Sequence, residues 1–131
     1  MKQQATKDKI PDILIVDDDL ALLNMIETML SQIGNVTRAN DGMEALEILQ
    51  RGLRPDVIVT DLMMPRVDGI KLCEQVKKNP QTSKIPIIML TAKGTPRNVV
   101  EGINVGARHY ITKPFKTEEL LSKVKKTLGI K

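Results

Sequence analysis

The side chains that invite a chemical reading fall at four places: Asp17-Asp18-Asp19, Asp61, Thr91 and Lys113. Carboxylates brought within a few ångströms repel one another: at an effective dielectric near 20, a pair about 4 Å apart costs roughly 4 kcal/mol. A cluster of this kind must hold a proton or bind a cation. Oxygen donors with no histidine or cysteine among them select magnesium (Mg²⁺) or a similar hard ion over zinc. Mg²⁺ also keeps waters and accepts phosphate oxygens, so two or three protein ligands suffice. A hydroxyl, an ammonium, a metal and a free carboxylate in one crevice are the parts of a phosphoryl-transfer site. Taken singly, each part has a plainer explanation. An aspartate at a strand end can cap the next helix, as Asp19 is expected to do for the first, and a lysine beside carboxylates can be a salt bridge and nothing more.

The elements that must gather these residues are legible as two alternating patterns between residues 12 and 128. Ile13-Leu14-Ile15-Val16, Val57-Ile58-Val59 and Ile87-Ile88-Met89-Leu90 are apolar at every position, which suits strands covered on both faces. Val36-Thr37-Arg38-Ala39 and His109-Tyr110-Ile111-Thr112 are weaker and predict flanking strands. Between them, helical spacing joins Leu23, Ile26, Leu30 and Ile33; then Met43, Leu46 and Leu49; then Leu72, Cys73 and Val76; then Val99, Val100 and Ile103; and last Leu120, Leu121, Val124 and Leu128. Gly34, Gly52, Gly106 and Gly129 follow helical stretches, where a left-handed cap is favoured. Asp41 and Thr117 are candidate N-caps, and Glu44 completes a capping box with the first. Pro55, Pro86 and Pro114 mark loops. Alternating β and α with fully apolar strands predicts a parallel sheet with helices on both faces and right-handed crossovers. Ligands of such sheets bind beyond the carboxyl ends of the strands. All four chemical clusters lie at those ends. In a flavodoxin-like order the first and third strands are neighbours, which brings Asp17 and Asp18 to Asp61.

Composition narrows the remaining function classes. The chain has 131 residues and 41% apolar residues, enough for one core. Residues 1–11 read as a flexible tail, 12–129 as the domain and 130–131 as a short end. Aromatic residues are limited to Tyr110 and Phe115, so a stacking platform for single-stranded nucleic acid is not expected. The net charge of +4 sits at the ends: residues 1–10 carry +2 and residues 116–131 carry +3, leaving −1 between them. With no binding motif behind these lysines, they read as solvated, and direct nucleic-acid contact is not expected. No apolar run approaches a membrane span, and the opening MKQQATKDKIPD lacks the apolar stretch of a secretory signal. The single cysteine excludes an intramolecular disulfide, and the expected location is the cytoplasm. Cys73 reads as a small buried hydrophobe and His109 as a surface histidine on an edge strand.

Five separated elements, in order, resemble the receiver domain of two-component response regulators. They are Ile15-Val16-Asp17-Asp18-Asp19; Asp61-Leu62-Met63-Met64-Pro65 with Asp68-Gly69; Thr91-Ala92; Gly106-Ala107 with Tyr110; and Lys113-Pro114-Phe115. The resemblance runs from Ile13 to about Leu128. It implies a flavodoxin-like (βα)₅ doubly wound fold with strand order 2-1-3-4-5. It implies a phosphoacceptor aspartate, Asp61, served by Mg²⁺. Asp18 and Asp61 would ligate the ion through side chains, Met63 through its backbone carbonyl, and Asp17 through a bound water. Thr91 and Lys113 would hold phosphoryl oxygens, and the Lys113–Pro114 bond is expected to be cis.

The donor implied is a phosphohistidine on a histidine kinase or phosphotransfer protein. The output implied is a change in the face formed by the fourth helix, fifth strand and fifth helix, read by a downstream protein target. Phosphorylation would draw the Thr91 hydroxyl inward and admit the Tyr110 ring to the vacated space. Phosphorylation-dependent dimerisation stays open. Small Ala92 leaves the crevice accessible to a bulky donor. Met63 and Lys93 stand where chemotaxis-type members carry polar or acidic groups that orient the hydrolytic water, so a longer-lived phosphoryl group is expected. The chain is then a switch and not a turnover enzyme, either a stand-alone receiver like the chemotaxis regulators or a piece of a larger protein. Two alternatives are carried. A haloacid-dehalogenase-type phosphatase would need D-x-D-x-[TV], but here Asp17-x-Asp19 is followed by Ala21. A pseudo-receiver acting only as an interaction module would not need the intact acid, hydroxyl and lysine set.

Overall fold

In a computed structural model the structure describes residues 10–64, 67–92 and 106–130, with only the backbone of Ala92. Among these residues five strands and four helices alternate: β1 (Asp12–Val16), α1 (Leu20–Leu30), β2 (Asn35–Ala39), α2 (Gly42–Gln50), β3 (Val57–Asp61), α3 (Gly69–Lys78), β4 (Ile87–Ala92), β5 (His109–Lys113) and α4 (Thr117–Leu128). All strand pairs are parallel, and the sheet order is β2-β1-β3-β4-β5. This is the flavodoxin-like doubly wound order. The helix expected at Val99, Val100 and Ile103, together with Lys93, Pro65, the tail up to Lys9 and Lys131, lies outside the described residues. The helix read as the fifth in the sequence is α4.

The uniformly apolar strand runs are explained by two cores, one on each face. Successive strand side chains point to opposite faces, so Ile13, Ile15, Val57, Val59, Ile88 and Leu90 meet α1 and α4. Their alternates Leu14, Val16, Ile58, Ile87 and Met89 meet α2 and α3. Every one of these strand residues is buried. From α1 come Leu23, Ile26 and Leu30, from α3 Leu72, Cys73 and Val76, and from α4 Leu120 and Val124.

Three local expectations are corrected. Gly34 is no left-handed cap, because α1 ends at Ser31. Space explains it instead: a Cβ there would lie 2.6 Å from the Pro11 carbonyl oxygen. Met43 is exposed and Ala45 is buried in its place, while the expected Leu49 is buried and Leu46 is partly buried against the same core. Thr117 does not cap α4; Lys116 holds that position without a side-chain hydrogen bond. The other punctuation holds. Asp41 caps α2 by accepting the Glu44 N–H (2.9 Å), while the Glu44 carboxylate accepts the Asn40 N–H (2.6 Å). Gly52, Gly106 and Gly129 all have positive φ. Among the described residues no helix is long and apolar enough to cross a membrane.

Candidate functional site

The strand register brings the chemical residues to one rim. Val16 pairs with Thr60, so Asp17 follows β1 where Asp61 ends β3. Asp61 pairs with Leu90, and Ala92 pairs with Lys113, so Thr91 and Lys113 close β4 and β5 at the same edge. Lys113 stands two strands from Asp61, about 9–10 Å at ordinary strand spacing. A long side chain is needed to cross β4. The Lys113 Nζ does so, donating to Asp61 Oδ1 at 3.1 Å and to Asp17 Oδ2 at 3.4 Å. The Lys113–Pro114 peptide bond is cis.

The three consecutive aspartates have three different environments. Asp19 is the N-cap of α1 and accepts the N–H groups of Ala21 (3.0 Å) and Leu22 (3.3 Å). Asp17 is 1% exposed; its Oδ1 accepts the Asp19 N–H at 2.9 Å, and its Oδ2 faces Lys113. Asp18 is exposed. Carboxylate oxygens of Asp17, Asp18 and Asp61 nevertheless lie within 4.8 Å of one another. The donors are oxygen only and the cluster is open at Asp18, a set that fits a hard divalent cation able to keep its waters. Met63 extends its side chain into solvent (62% exposed), so only its backbone is a candidate for the metal. Thr91 is buried at the end of β4. The side chain of Ala92 lies outside the described residues.

One ammonium faces two buried acids, and the charges do not cancel. Burial raises the Asp17 carboxyl above the usual carboxylate range; the Asp19 N–H and Lys113 pull it down, while Asp61 adds to the rise. Burial likewise raises Asp61, with Lys113 opposing and the Asp18 charge reinforcing. Burial alone would lower Lys113, but Asp61 and Asp17 overcome it and hold the ammonium protonated. The lysine's rise and the acids' rise agree once the stoichiometry is counted: the ammonium is favoured and one negative charge is left over.

Tyr110 pairs with Met89 in register, and its ring packs against the core beside α2 and α3. Its hydroxyl is buried with no hydrogen-bond partner among the described residues, and burial pushes its pKa up to about 12. An orphaned buried hydroxyl costs about 1–3 kcal/mol. Cys73 is buried, and burial pushes its thiol up to about 11. His109 is half-buried at the edge strand; burial lowers its pKa, with Lys123, Lys126 and Arg108 adding to the effect.

Sequence reasoning missed the two backbone contacts that hold the segment after Asp61. The Gly69 N–H donates to the Leu62 carbonyl (2.9 Å), and the Gly42 N–H donates to the Val67 carbonyl (3.1 Å). The first had a signal in the Asp68-Gly69 pair, read only as part of the family resemblance. The second had none, because Gly42 and Val67 are brought together by the tertiary fold.

The acid pair sets a sign for pH. Asp17 and Asp61 hold protons to higher pH in the fold than in the unfolded chain, so the folded state binds more protons above the ordinary carboxylate value of 3.8. Their contribution to stability is full below that value and is lost as pH rises through the raised folded values. In metal-free buffer at pH 7, Asp17→Asn should therefore raise stability, on the order of 1 kcal/mol, with Asp61 left to pair Lys113. Urea unfolding at pH 7 measures it; a destabilised variant would mean that both acids are needed to balance the lysine.

The family described as the response regulator receiver domain matches residues 13–125. Among curated proteins, the chain is 40% identical to the DNA-binding dual master transcriptional regulator RpaA of Synechocystis sp. over 120 residues, 91% of this chain and 49% of that protein. It is 44% identical to the response regulator MprA of Mycobacterium leprae over 117 residues, 88% of this chain and 50% of that one. The chain thus spans about half the length of these curated relatives. Among solved structures, the chemotaxis response regulator CheY4 of Vibrio cholerae is similar with a TM-score of 0.85 and 35% identity, over 92% of this chain and 100% of that one. The signal receiver domain of a signal transduction histidine kinase from Syntrophus aciditrophicus is similar with a TM-score of 0.84 and 38% identity, over 91% and 90%.

Proposed function

Because the chain belongs to the response regulator receiver domain family, we propose that it is a phosphoacceptor signalling switch in which Asp61 takes a phosphoryl group from a histidine kinase or phosphotransfer protein. The observation that carries this reading is the Lys113 ammonium suspended between Asp17 and Asp61 beside an open acidic cluster. The phosphoacceptor unit is proposed to span residues 12–129, in the cytoplasm where such kinases act.

Asp61 is the nucleophile. One carboxylate oxygen forms the new O–P bond as the P–N bond of a phosphohistidine breaks, and the electron pair returns to the imidazole. Lys113 neutralises a phosphoryl oxygen from a position it already holds, and the Thr91 hydroxyl donates to another. Asp17, with both oxygens engaged by the protein, fixes the lysine. Mg²⁺ would be held by Asp18 and Asp61 side chains, the Met63 carbonyl and a water on Asp17, and when bound it supplies neutralisation of the developing negative charge. Asp19 is committed to capping α1, which speaks against its use as the acid of a D-x-D phosphatase.

The readout is proposed to pass through Tyr110 of the edge strand β5 and the face formed by that strand, α4 and the helix expected at Val99, Val100 and Ile103, which lies outside the described residues. The Tyr110 hydroxyl, buried without a hydrogen-bond partner among the described residues, supports this, since a ring held at a cost is one that a small change at Thr91 can move. The partner is a downstream protein target. A relative of twice this length is named DNA-binding; by analogy, a route to nucleic acid would run through residues outside the matched half.

Three measurements test these proposals. With Mg²⁺ and a small phosphodonor, the wild-type chain should become labelled and Asp61→Asn should not, and neither should turn over phosphate monoesters. Equal labelling of both would remove Asp61 from the reaction. Tyr110→Ala should keep its labelling yet lose phosphorylation-dependent partner binding; unchanged binding would end the switch role. The phosphoryl group should outlast that of fast-cycling chemotaxis regulators, because apolar Met63 cannot orient a hydrolytic water. A half-life of seconds in a phosphate-release assay would contradict this.

A further inference from the structure

We propose that Gly69, the first residue of α3, is a positioning residue for Asp61: its missing side chain lets the helix rest directly on the peptide that carries the nucleophile. The inference rests on the phosphoacceptor reading. Asp61 ends β3, so its peptide is the last that the strand can hold. On the sheet side of that peptide, the Leu62 N–H donates to the Leu90 carbonyl (2.9 Å). The Asp61 carbonyl accepts the hydroxyl of buried Thr60 (3.0 Å). Against the same peptide stands Gly69, whose N–H donates to the Leu62 carbonyl (2.9 Å).

Gly69 is there for space and not for backbone freedom, since its φ is not positive. A Cβ on it would collide with the Asp61 carbonyl oxygen, and would lie 2.9 Å from Met89 Sδ and 3.0 Å from Leu62 Cα. Met89 can swing its sulfur aside, but the two backbone atoms cannot rotate away as a side chain does. Something must then move, and both responses reach Asp61. If the peptide turns, the Leu62 N–H leaves Leu90 and the Asp61 Cα tilts. If α3 backs away, the Gly69–Leu62 hydrogen bond breaks and the Asp61 peptide loses the wall behind it. The rest of the helix opposes the second response: Leu72, Cys73 and Val76 are buried, and Asp68 caps α3 by accepting the Lys71 N–H (2.9 Å). The Asp61 side chain is short, and its Oδ1 lies 3.1 Å from the Lys113 Nζ, so a tilt of the backbone passes straight to the attacking oxygen. Misplacing a reacting atom by about 1 Å can cost on the order of 100-fold in rate.

Labelling rates of the full chain with acetyl phosphate, measured against donor concentration at saturating Mg²⁺, test this. Gly69→Ala should lose about 100-fold in the rate at saturating donor. The half-saturating donor concentration should not change, because Lys113 and Thr91 meet the phosphoryl group and Gly69 does not. Val76→Ala, which removes buried packing about two turns along the same helix, should melt earlier yet be labelled at the wild-type rate. A Gly69→Ala chain that melts earlier but keeps the wild-type saturated rate would make Gly69 merely structural and overturn the proposal, as would an equal loss of rate in Val76→Ala. Should Gly69→Ala not fold, the wild type carries the test, because a support and what it supports stabilise each other. Labelling of Asp61 must then slow amide exchange at Gly69 more than at Leu72, whose N–H donates to the Asp68 carbonyl in the same helix. Equal slowing at both overturns the proposal. A wild-type chain that takes no label sinks the phosphoacceptor reading itself, whereas labelling that is indifferent to position 69 sinks only this inference.

Discussion

Two buried carboxylates and one ammonium at the end of a parallel sheet leave a negative charge without a partner, and the rest of the site is organised around that imbalance. Lys113 satisfies one oxygen each of Asp17 and Asp61. Asp18, exposed beside them, adds a further negative charge. A structure that only needed to be stable would not keep this arrangement, since burying unbalanced charge costs free energy that hydrophobic replacements would not. The imbalance suits a site that receives positive charge, and the donors facing it are oxygen only.

The division of labour within Asp17-Asp18-Asp19 follows from where each residue falls as a strand becomes a helix. Asp17 continues the direction of β1 and turns into the rim. Asp19 is the last extended residue and faces the free N–H groups of α1. Asp18, between them, is exposed and lies with its carboxylate beside those of Asp17 and Asp61. Three chemically identical neighbours thus become an anchor for the lysine, an exposed member of the acidic cluster and a helix cap. The same logic separates Met63 from Asp61: one residue past Leu62 the chain has left the sheet, so its side chain is in solvent and only its backbone is of use.

Much of this was legible beforehand, and the parts that were not share a cause. Apolar runs such as Ile13–Val16 announce strands covered on both faces because burial on two sides leaves no polar position. Asp19, Asp41 and Glu44 announce helix starts because capping is local. Gly34 was misread because a glycine after a helix has two explanations, a left-handed turn and a close approach, and the Pro11 carbonyl that decides between them lies far back in the chain. Met43 was misread because helical spacing alone does not say which of two overlapping stripes faces the sheet. Thr117 was misread because Lys116, with no capping side chain, took the position before it. The convergence of Asp17, Asp18 and Asp61 follows from strand order alone. That Lys113 joins them across β4 was expected only through the family resemblance, since nothing in a lysine's local sequence says how far it reaches.

The contacts that no sequence pattern reveals are the ones between connections. Val67 follows β3 and Gly42 opens α2; neither is in an apolar run, and what links them is the absence of a side chain on one and a carbonyl on the other. Such a contact can matter more to a cation site than its modest hydrogen bond suggests. A carboxylate ligand on a flexible side chain can follow an ion over some distance, whereas a backbone carbonyl moves only if its whole segment moves. Leu62 is held against β4 and Val67 against the start of α2, so the described residues on either side of this connection lean on two different elements.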